Sequence, residues 1–311
     1  MIKPPKLKPK ATIGIINPSY WLAEEKYEQT ANIFTDRGFT IVRGKSTFLK
    51  EDLYGGTPID RAEDIMDMFQ NPDIDAIICA RGGYGANRVL HLLDYETIKA
   101  NPKIFMGYSD ITAFNTSITQ KTRLVTFHGP MLVTFNDGFV SYDYSHMIEI
   151  LSSNAPHVIT PPNDLPLRVL KPGKASGPLW GGNLCLLLNR LGTPDELNTD
   201  GTILFIEDIG EKLYRFDRMM FQMKMAGVFD NINGLIIGEL VAMEDSDPPF
   251  GKTSDEIVMD ICGDMGFPIV TNFPCGHGKY QATMPISIPA ELNTNGGSPT
   301  LTILESPVSG D

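Results

Sequence analysis

Four short strand-like runs in the first 108 residues alternate with helix-forming segments, and that alternation narrows the possible folds more than any other feature of the chain. The runs are ATIGIINPS from Ala11, FTIVRG from Phe39, IDAIICA over 74–80 and KIFMGY from Lys103. Apart from Asp75, IDAIICA is apolar on both faces, a pattern that suits a strand covered on both sides. Residues 22–37 form a helix that Gly38 stops. TPIDRAEDIMDMFQN forms a second, with Thr57 as cap, Pro58 in the first turn, and Asp60, Glu63 and Asp64 toward its positive end. ANRVLHLLD and DITAFNTSITQKT supply two more helices. Strands separated by helices predict an α/β fold with a doubly wound parallel sheet, whose ligands sit beyond the carboxyl ends of the strands.

The alternation breaks near residue 155. NAPHVITPPNDLPLRVLKPGKASG carries five prolines and little helical periodicity. The expected organisation is therefore a doubly wound domain over 1–160, a linker over 161–175 and a smaller β-rich α+β domain over 176–311. In the last of these, GTILFIED, GLIIGEL, PIVTNF, ATMPISIPA and PTLTILE read as strands. EKLYRFDRMMFQMKMAGVF reads as a helix whose Met219, Met220, Met223 and Met225 serve a core or an interface.

A formal charge of −12 argues against binding polyanions such as nucleic acid or an anionic membrane surface. No run approaches the length of a membrane span, and the basic start MIKPPKLKPK has no apolar segment behind it. A soluble cytoplasmic protein is expected. Cys79, Cys185, Cys262 and Cys275 form no closely spaced pair, so free thiols in a reducing compartment are expected, with no metal and no cofactor.

Chemistry concentrates in a few places. In KIFMGYSDITAF a strand ends at Gly107-Tyr108, Ser109 takes the turn and a helix begins at Asp110. That is the layout of a nucleophile elbow, although Ile111 stands where the usual motif has its last glycine. Ser109 is either a nucleophile or simply the helix cap. ARGGYGANR, after IDAIICA, carries Gly82, Gly83, Tyr84 and Gly85. It could cradle a phosphate, lend the Gly83 amide to an oxyanion hole beside Ser109, or merely make a tight turn. A serine nucleophile needs a base. Of the five histidines, His277 in FPCGHGKY is the candidate, because flanking glycines permit close approach in a loop. A histidine base in turn needs an acceptor to orient it. Glu207 in LFIED and Glu239 in LIIGEL both end strands, and spacing does not choose between them. GPLWGGNL adds Trp180 and Asn183, which either meet a ligand or pack and cap. Arg215, on the methionine-rich helix, is a candidate for a substrate carboxylate.

The segments YGGTPIDRAEDI, ICARGGYGANRVL, PKIFMGYSDITAF, FHGPM, WGGNL, LFIEDIGEKLYRFDRMM and CGHGKY, in this order, make the chain resemble the LD-carboxypeptidase family of serine peptidases, the group that includes the microcin C self-immunity proteins. The resemblance runs from about residue 11 to residue 303. It implies a Ser-Glu-His triad of Ser109, Glu207 and His277, and an oxyanion hole made by the amides of Gly83 and Asp110. It implies a homodimer whose partner molecule is a small peptide, with terminal D-alanine released from murein tetrapeptides during cell-wall recycling. One alternative is hydrolysis of the amide in aminoacyl-sulfamoyl or aminoacyl-phosphoramidate nucleotides, which Trp180 would suit by stacking on a base. Another is a non-catalytic ligand-binding protein using Trp180 and the Arg81–Gly85 loop.

Overall fold

A computed structural model describes residues 1–136, 138–297 and 299–310. The chain divides into two compact units. The first takes Met1–Ala155, Ala282–Ile286 and the C-terminal residues from Ser306; the second takes Pro156–Gln281 and Ser287–Glu305.

In the first unit the chain runs through β1 (Thr12–Ile16), α1 (Glu24–Thr35), β2 (Thr40–Arg43), α2 (Pro58–Gln70), β3 (Ala76–Cys79), α3 (Tyr95–Ala100), β4 (Ile104–Met106), α4 (Thr112–Thr122), β5 (Phe127–His128) and α5 (Ser141–Ser152). In the second it runs through β6 (His157–Ile159), β7 (Arg168–Lys171), β8 (Lys174–Asn183), α6 (Leu184–Leu188), β9 (Ile203–Ile209), α7 (Leu213–Met225), β10 (Gly234–Val241), α8 (Ser254–Cys262) and β11 (Ile269–Gly276). Then β12 (Met284–Pro285) returns to the first unit, while β13 (Pro289–Asn293) and β14 (Thr300–Ile303) complete the second.

The first sheet has the order β12-β5-β4-β3-β1-β2. β1 to β5 are parallel and β12 is antiparallel to β5. β3 and β4 are buried along their whole length, as their two-sided apolar pattern requires. Register sets the height of the loops that follow. Ile16 pairs with Cys79 and Ile78 with Met106, so the chain leaves β1, β3 and β4 at nearly the same level. The strand order reverses between β1 and β3, where a doubly wound sheet opens its crevice.

Two details differ from the sequence reading. ANRVLHLLD makes no α-helix but two short 3-10 turns, Ala86–Arg88 and Leu90–Leu92, ahead of α3. The Ala86 N–H is committed to the Asp110 carboxylate, and Asp94 caps α3 instead. ATMPISIPA splits between the sheets, because Met284 and Pro285 pair with His128 and Phe127. The α2 cap is as expected: the Thr57 hydroxyl accepts the Asp60 N–H at 3.1 Å in a capping box.

The second sheet runs β6-β14-β13-β8-β9-β10-β11-β7, with β8 to β11 parallel and antiparallel strands outside them. β7 lies within the proline-rich stretch 161–175. Leu204 and Ile206 of β9 share one core with Leu184, Phe216, Met220, Met223, Ile257 and Ile261, so α6, α7 and α8 cover that face. Met225 is 70% exposed. Among the described residues, no helix is long and apolar enough to cross a membrane.

Candidate active site

In the first unit, Ser109 stands at the turn after β4. Its φ is +62°, left-handed for a residue with a Cβ, which costs on the order of 1–3 kcal/mol. A 3-10 turn, Ser109–Ile111, precedes α4, and neither of these helical starts has a side-chain cap. The strain therefore does not serve capping. Ser109 is half-buried, and the loop after β3 packs directly on it. A Cβ added to Gly82 would lie 3.0 Å from the Ser109 Cβ and 3.3 Å from its Oγ. Gly83 has a φ of +120°, and a Cβ there would meet the Tyr20 ring at 2.4 Å. Only glycine lets the chain turn here under Tyr20. The loop thus presents bare backbone beside the serine hydroxyl, which is what an oxyanion site needs. Tyr84 in this loop is 54% exposed and lies beside Tyr54, with ring centroids 6.1 Å apart.

Asp110 is buried, and its Oδ2 accepts the Ser19 hydroxyl at 2.6 Å and the Ala86 N–H at 2.9 Å. Burial raises its carboxyl pKa above the ordinary value, against the opposing pull of those bonds and of the Arg61 charge.

In the second unit, Glu207 and His277 come together. Glu207 points from β9 with no exposed surface, and its Oε2 lies 2.7 Å from His277 Nδ1. Burial pushes the imidazole pKa down, but the hydrogen bond and the Glu207 charge outweigh it, and the net direction is upward. The bond commits Nδ1 to the carboxylate, so base chemistry has to run through Nε2. Gly276 makes the approach possible: its φ is +128°, and a Cβ there would lie 2.8 Å from Glu207 Oε2. The Gly276 N–H is held by Gln281 Oε1 at 2.8 Å. Glu239 instead packs its carboxyl group against Gly278, where an added Cβ would lie 2.0 Å from the carboxyl carbon, and burial raises its pKa.

Asp208, next to Glu207, is also buried, and its carboxyl pKa is pushed up to about 6 chiefly by burial. It accepts Asn183 Nδ2–H at 3.0 Å and the Cys185 N–H at 3.2 Å. The Asn183 carbonyl oxygen accepts the Leu186 N–H as the α6 cap. Its carboxamide is thereby used within the fold. Trp180 is half-buried in β8. Arg215 is exposed, its Nε donating to the Tyr214 hydroxyl at 3.2 Å.

Sequence reasoning missed Arg61, Ser19 and the Asp110 side chain. One signal was available for Arg61. It falls in the apolar stripe of α2 with Ile65, Met68 and Phe69, where a charged residue must be buried.

A family model described as the LD-carboxypeptidase N-terminal domain matches residues 13–129, and one described as the LD-carboxypeptidase C-terminal domain matches residues 176–292. A probable murein peptide carboxypeptidase of Bacillus subtilis is 34% identical over 94% of this chain and 92% of that protein. The microcin C7 self-immunity protein of Escherichia coli is 30% identical over 89% of each. Among solved structures, a microcin C7 self-immunity protein in complex with glutamyl sulfamoyl guanosine superposes with a TM-score of 0.93 at 26% identity, covering 99% of this chain and 100% of that one. The muramoyltetrapeptide carboxypeptidase of Oxalobacter formigenes gives 0.85 at 29% identity, covering 96% and 100%.

Proposed function

Because the chain belongs to the LD-carboxypeptidase family and is a serine-type hydrolase, we propose that it releases terminal D-alanine from murein tetrapeptides by cutting an L,D amide bond. The observation that carries the mechanism is the 2.7 Å contact between His277 Nδ1 and the buried Glu207 carboxylate. Ser109 Oγ attacks the amide carbonyl carbon while His277 Nε2 takes the hydroxyl proton. Glu207 holds the tautomer and stabilises the imidazolium. The amides of Gly83 and Asp110 donate to the developing oxyanion. Collapse breaks the C–N bond, and His277 returns the proton to the amine of the departing D-alanine. Water, deprotonated by His277, then attacks the ester, frees the shortened peptide as its carboxylic acid and restores Ser109. The reading requires His277 Nε2 to reach Ser109 Oγ in the reacting complex. It extends to a cytoplasmic homodimer acting on recycled cell-wall peptides.

The identity to the murein peptide carboxypeptidase of Bacillus subtilis supports this substrate. A second reading rests on the higher TM-score of the immunity-protein structure. On it, the same residues cleave aminoacyl-sulfamoyl or aminoacyl-phosphoramidate nucleotides, with Trp180 against the base. We favour the peptide, since the Bacillus subtilis relative is 34% identical to this chain and the immunity protein 30%. The test is turnover of a murein tetrapeptide and an aminoacyl-sulfamoyl nucleotide side by side, with Ser109→Ala as control. D-alanine release that vanishes in Ser109→Ala is the expected result; undiminished turnover by that variant would sink the mechanism. Exclusive turnover of the nucleotide would move the assignment to the second reading.

A further inference from the structure

The motif YGGTPIDRAEDI has no part in the reaction as written, yet its Arg61 is among the largest fully buried side chains of the protein. Arg61 Nη1 donates to the Gly85 carbonyl at 3.1 Å and to the Pro18 carbonyl at 2.9 Å, and its Nε to the Thr57 carbonyl at 3.3 Å. Asp110 Oδ2 takes the Ala86 N–H and the Ser19 hydroxyl. The Gly85 carbonyl and the Ala86 N–H belong to one peptide plane. A buried cation therefore holds one edge of that plane and a buried carboxylate holds the other. Pro18 and Ser19, in the loop after β1, bond to the same two side chains. Among the described residues no ion pair joins Arg61 to Asp110 directly, so the charges act on each other across the Gly85–Ala86 peptide.

That peptide lies two residues beyond Gly83, and the carboxylate belongs to the residue whose own amide is the other proposed donor. The two amides come from separate segments, one after β3 and one after β4. The covalent chain therefore does not by itself fix their spacing. A side chain placed only to neutralise a buried arginine would not need to reach the Ala86 amide, and a loop held only by packing would not need a buried arginine on its carbonyl.

We infer that Arg61, Asp110 and Ser19 form a positioning clamp that sets the separation of the Gly83 and Asp110 amides and so controls stabilisation of the transition state without touching the substrate. The inference rests on Ser109 being the nucleophile. It predicts that loosening the clamp weakens binding of the tetrahedral species and leaves ground-state binding alone.

The experiment measures kcat and KM for D-alanine release. It also measures inhibition by a substrate-peptide boronic acid in which boron replaces the scissile carbonyl carbon. The Ser109 oxygen adds to boron, the hydroxyl proton passes to His277, and the tetrahedral boronate occupies the oxyanion site. Asp110→Ala should lower kcat and boronate affinity together by about 100-fold, with KM within about 3-fold of wild type. Asp110→Asn keeps an oxygen for the Ala86 N–H and the Ser19 hydroxyl, and should recover most of both. Ser19→Ala removes one 2.6 Å bond and should cost roughly tenfold in each. It decides the matter should Asp110→Ala fail to fold. A folded Ser19→Ala or Asp110→Ala protein with wild-type kcat and boronate affinity overturns the clamp, as does a loss confined to KM. Ser109→Ala separates the two levels. If it is inactive while the clamp variants are normal, only this inference falls; if it turns over normally, the nucleophile assignment falls first.

Discussion

Replacing Glu207 by glutamine tests the His277 pair with almost no change in volume. Glu207 has no exposed surface and its oxygen is 2.7 Å from Nδ1, so solvent neither screens the interaction nor replaces it. An ionised carboxylate can only accept a hydrogen bond, so it keeps the proton on Nδ1 and leaves Nε2 able to take one from Ser109. A carboxamide can donate as well as accept, and when it donates to Nδ1 the proton moves to Nε2 and blocks the base. The imidazolium formed in the transition state also loses its counter-charge. Together these should lower kcat by about 10,000-fold, equivalent to about 5.5 kcal/mol, with KM little changed. The pH dependence gives a second reading of the same bond. In the wild type the Glu207 contribution outweighs burial and raises the His277 pKa, so the acid limb of the rate profile should lie above 6.5. In Glu207→Gln burial, the largest influence, outweighs the remaining pull of the Asp208 charge, and the limb should move below 6.5. Stability follows the sign of the shift. A raised histidine value contributes stability that is fully present below its unfolded value of about 6.5 and is lost as pH rises through the folded value. The melting temperatures of wild type and variant should therefore draw together on the alkaline side of that window. Continuous assay of D-alanine from pH 5 to 9, with thermal melts over the same range, measures both. A kcat within threefold of wild type with an unmoved acid limb would refute the reasoning.

Asp208→Asn should remove a pH dependence of stability. The folded carboxyl pKa of about 6, raised mainly by burial, means its favourable protonated state is fully present below about 3.8 and lost as pH rises through 6. Chemical denaturation at pH 4 and pH 7 should show the wild type losing about 2 kcal/mol more stability than the variant over that interval; equal losses would show that Asp208 is not the source. Gly181→Ala should destabilise by at least about 3 kcal/mol, because its Cβ would fall 1.8 Å from the Phe205 carbonyl oxygen, a backbone atom that cannot swing aside. A denaturation midpoint within error of wild type would show that β8 and β9 separate more freely than their register implies.

The first sheet was legible because β1, β3 and β4 are apolar on both faces and because glycine, proline and capping residues mark their ends. The elbow was legible from its strand, turn and helix. What the sequence hid was each side chain whose role depends on a distant segment. Glu207 and Glu239 end neighbouring parallel strands, so local pattern is the same for both; only the fold gives Glu207 to Nδ1 and sets Glu239 against Gly278. Asp110 reads as the start of a helix, with nothing local to its side chain, whereas its carboxylate reaches Ser19, 91 positions away. ANRVLHLLD has helical spacing, yet it folds as two 3-10 turns.

The return of β12 and of the residues from Ser306 to the first unit has a consequence for biosynthesis. The edge strand beside β5, and the Ser309 backbone that pairs with Pro4 and Lys6, are translated after nearly all of the second unit. Once 280 residues have been joined, every residue proposed for the chemistry is part of the chain, but the strand that closes the sheet carrying Ser109 is not. The half that is read first is finished last, so an interrupted chain would carry all the proposed reacting groups on an incomplete scaffold.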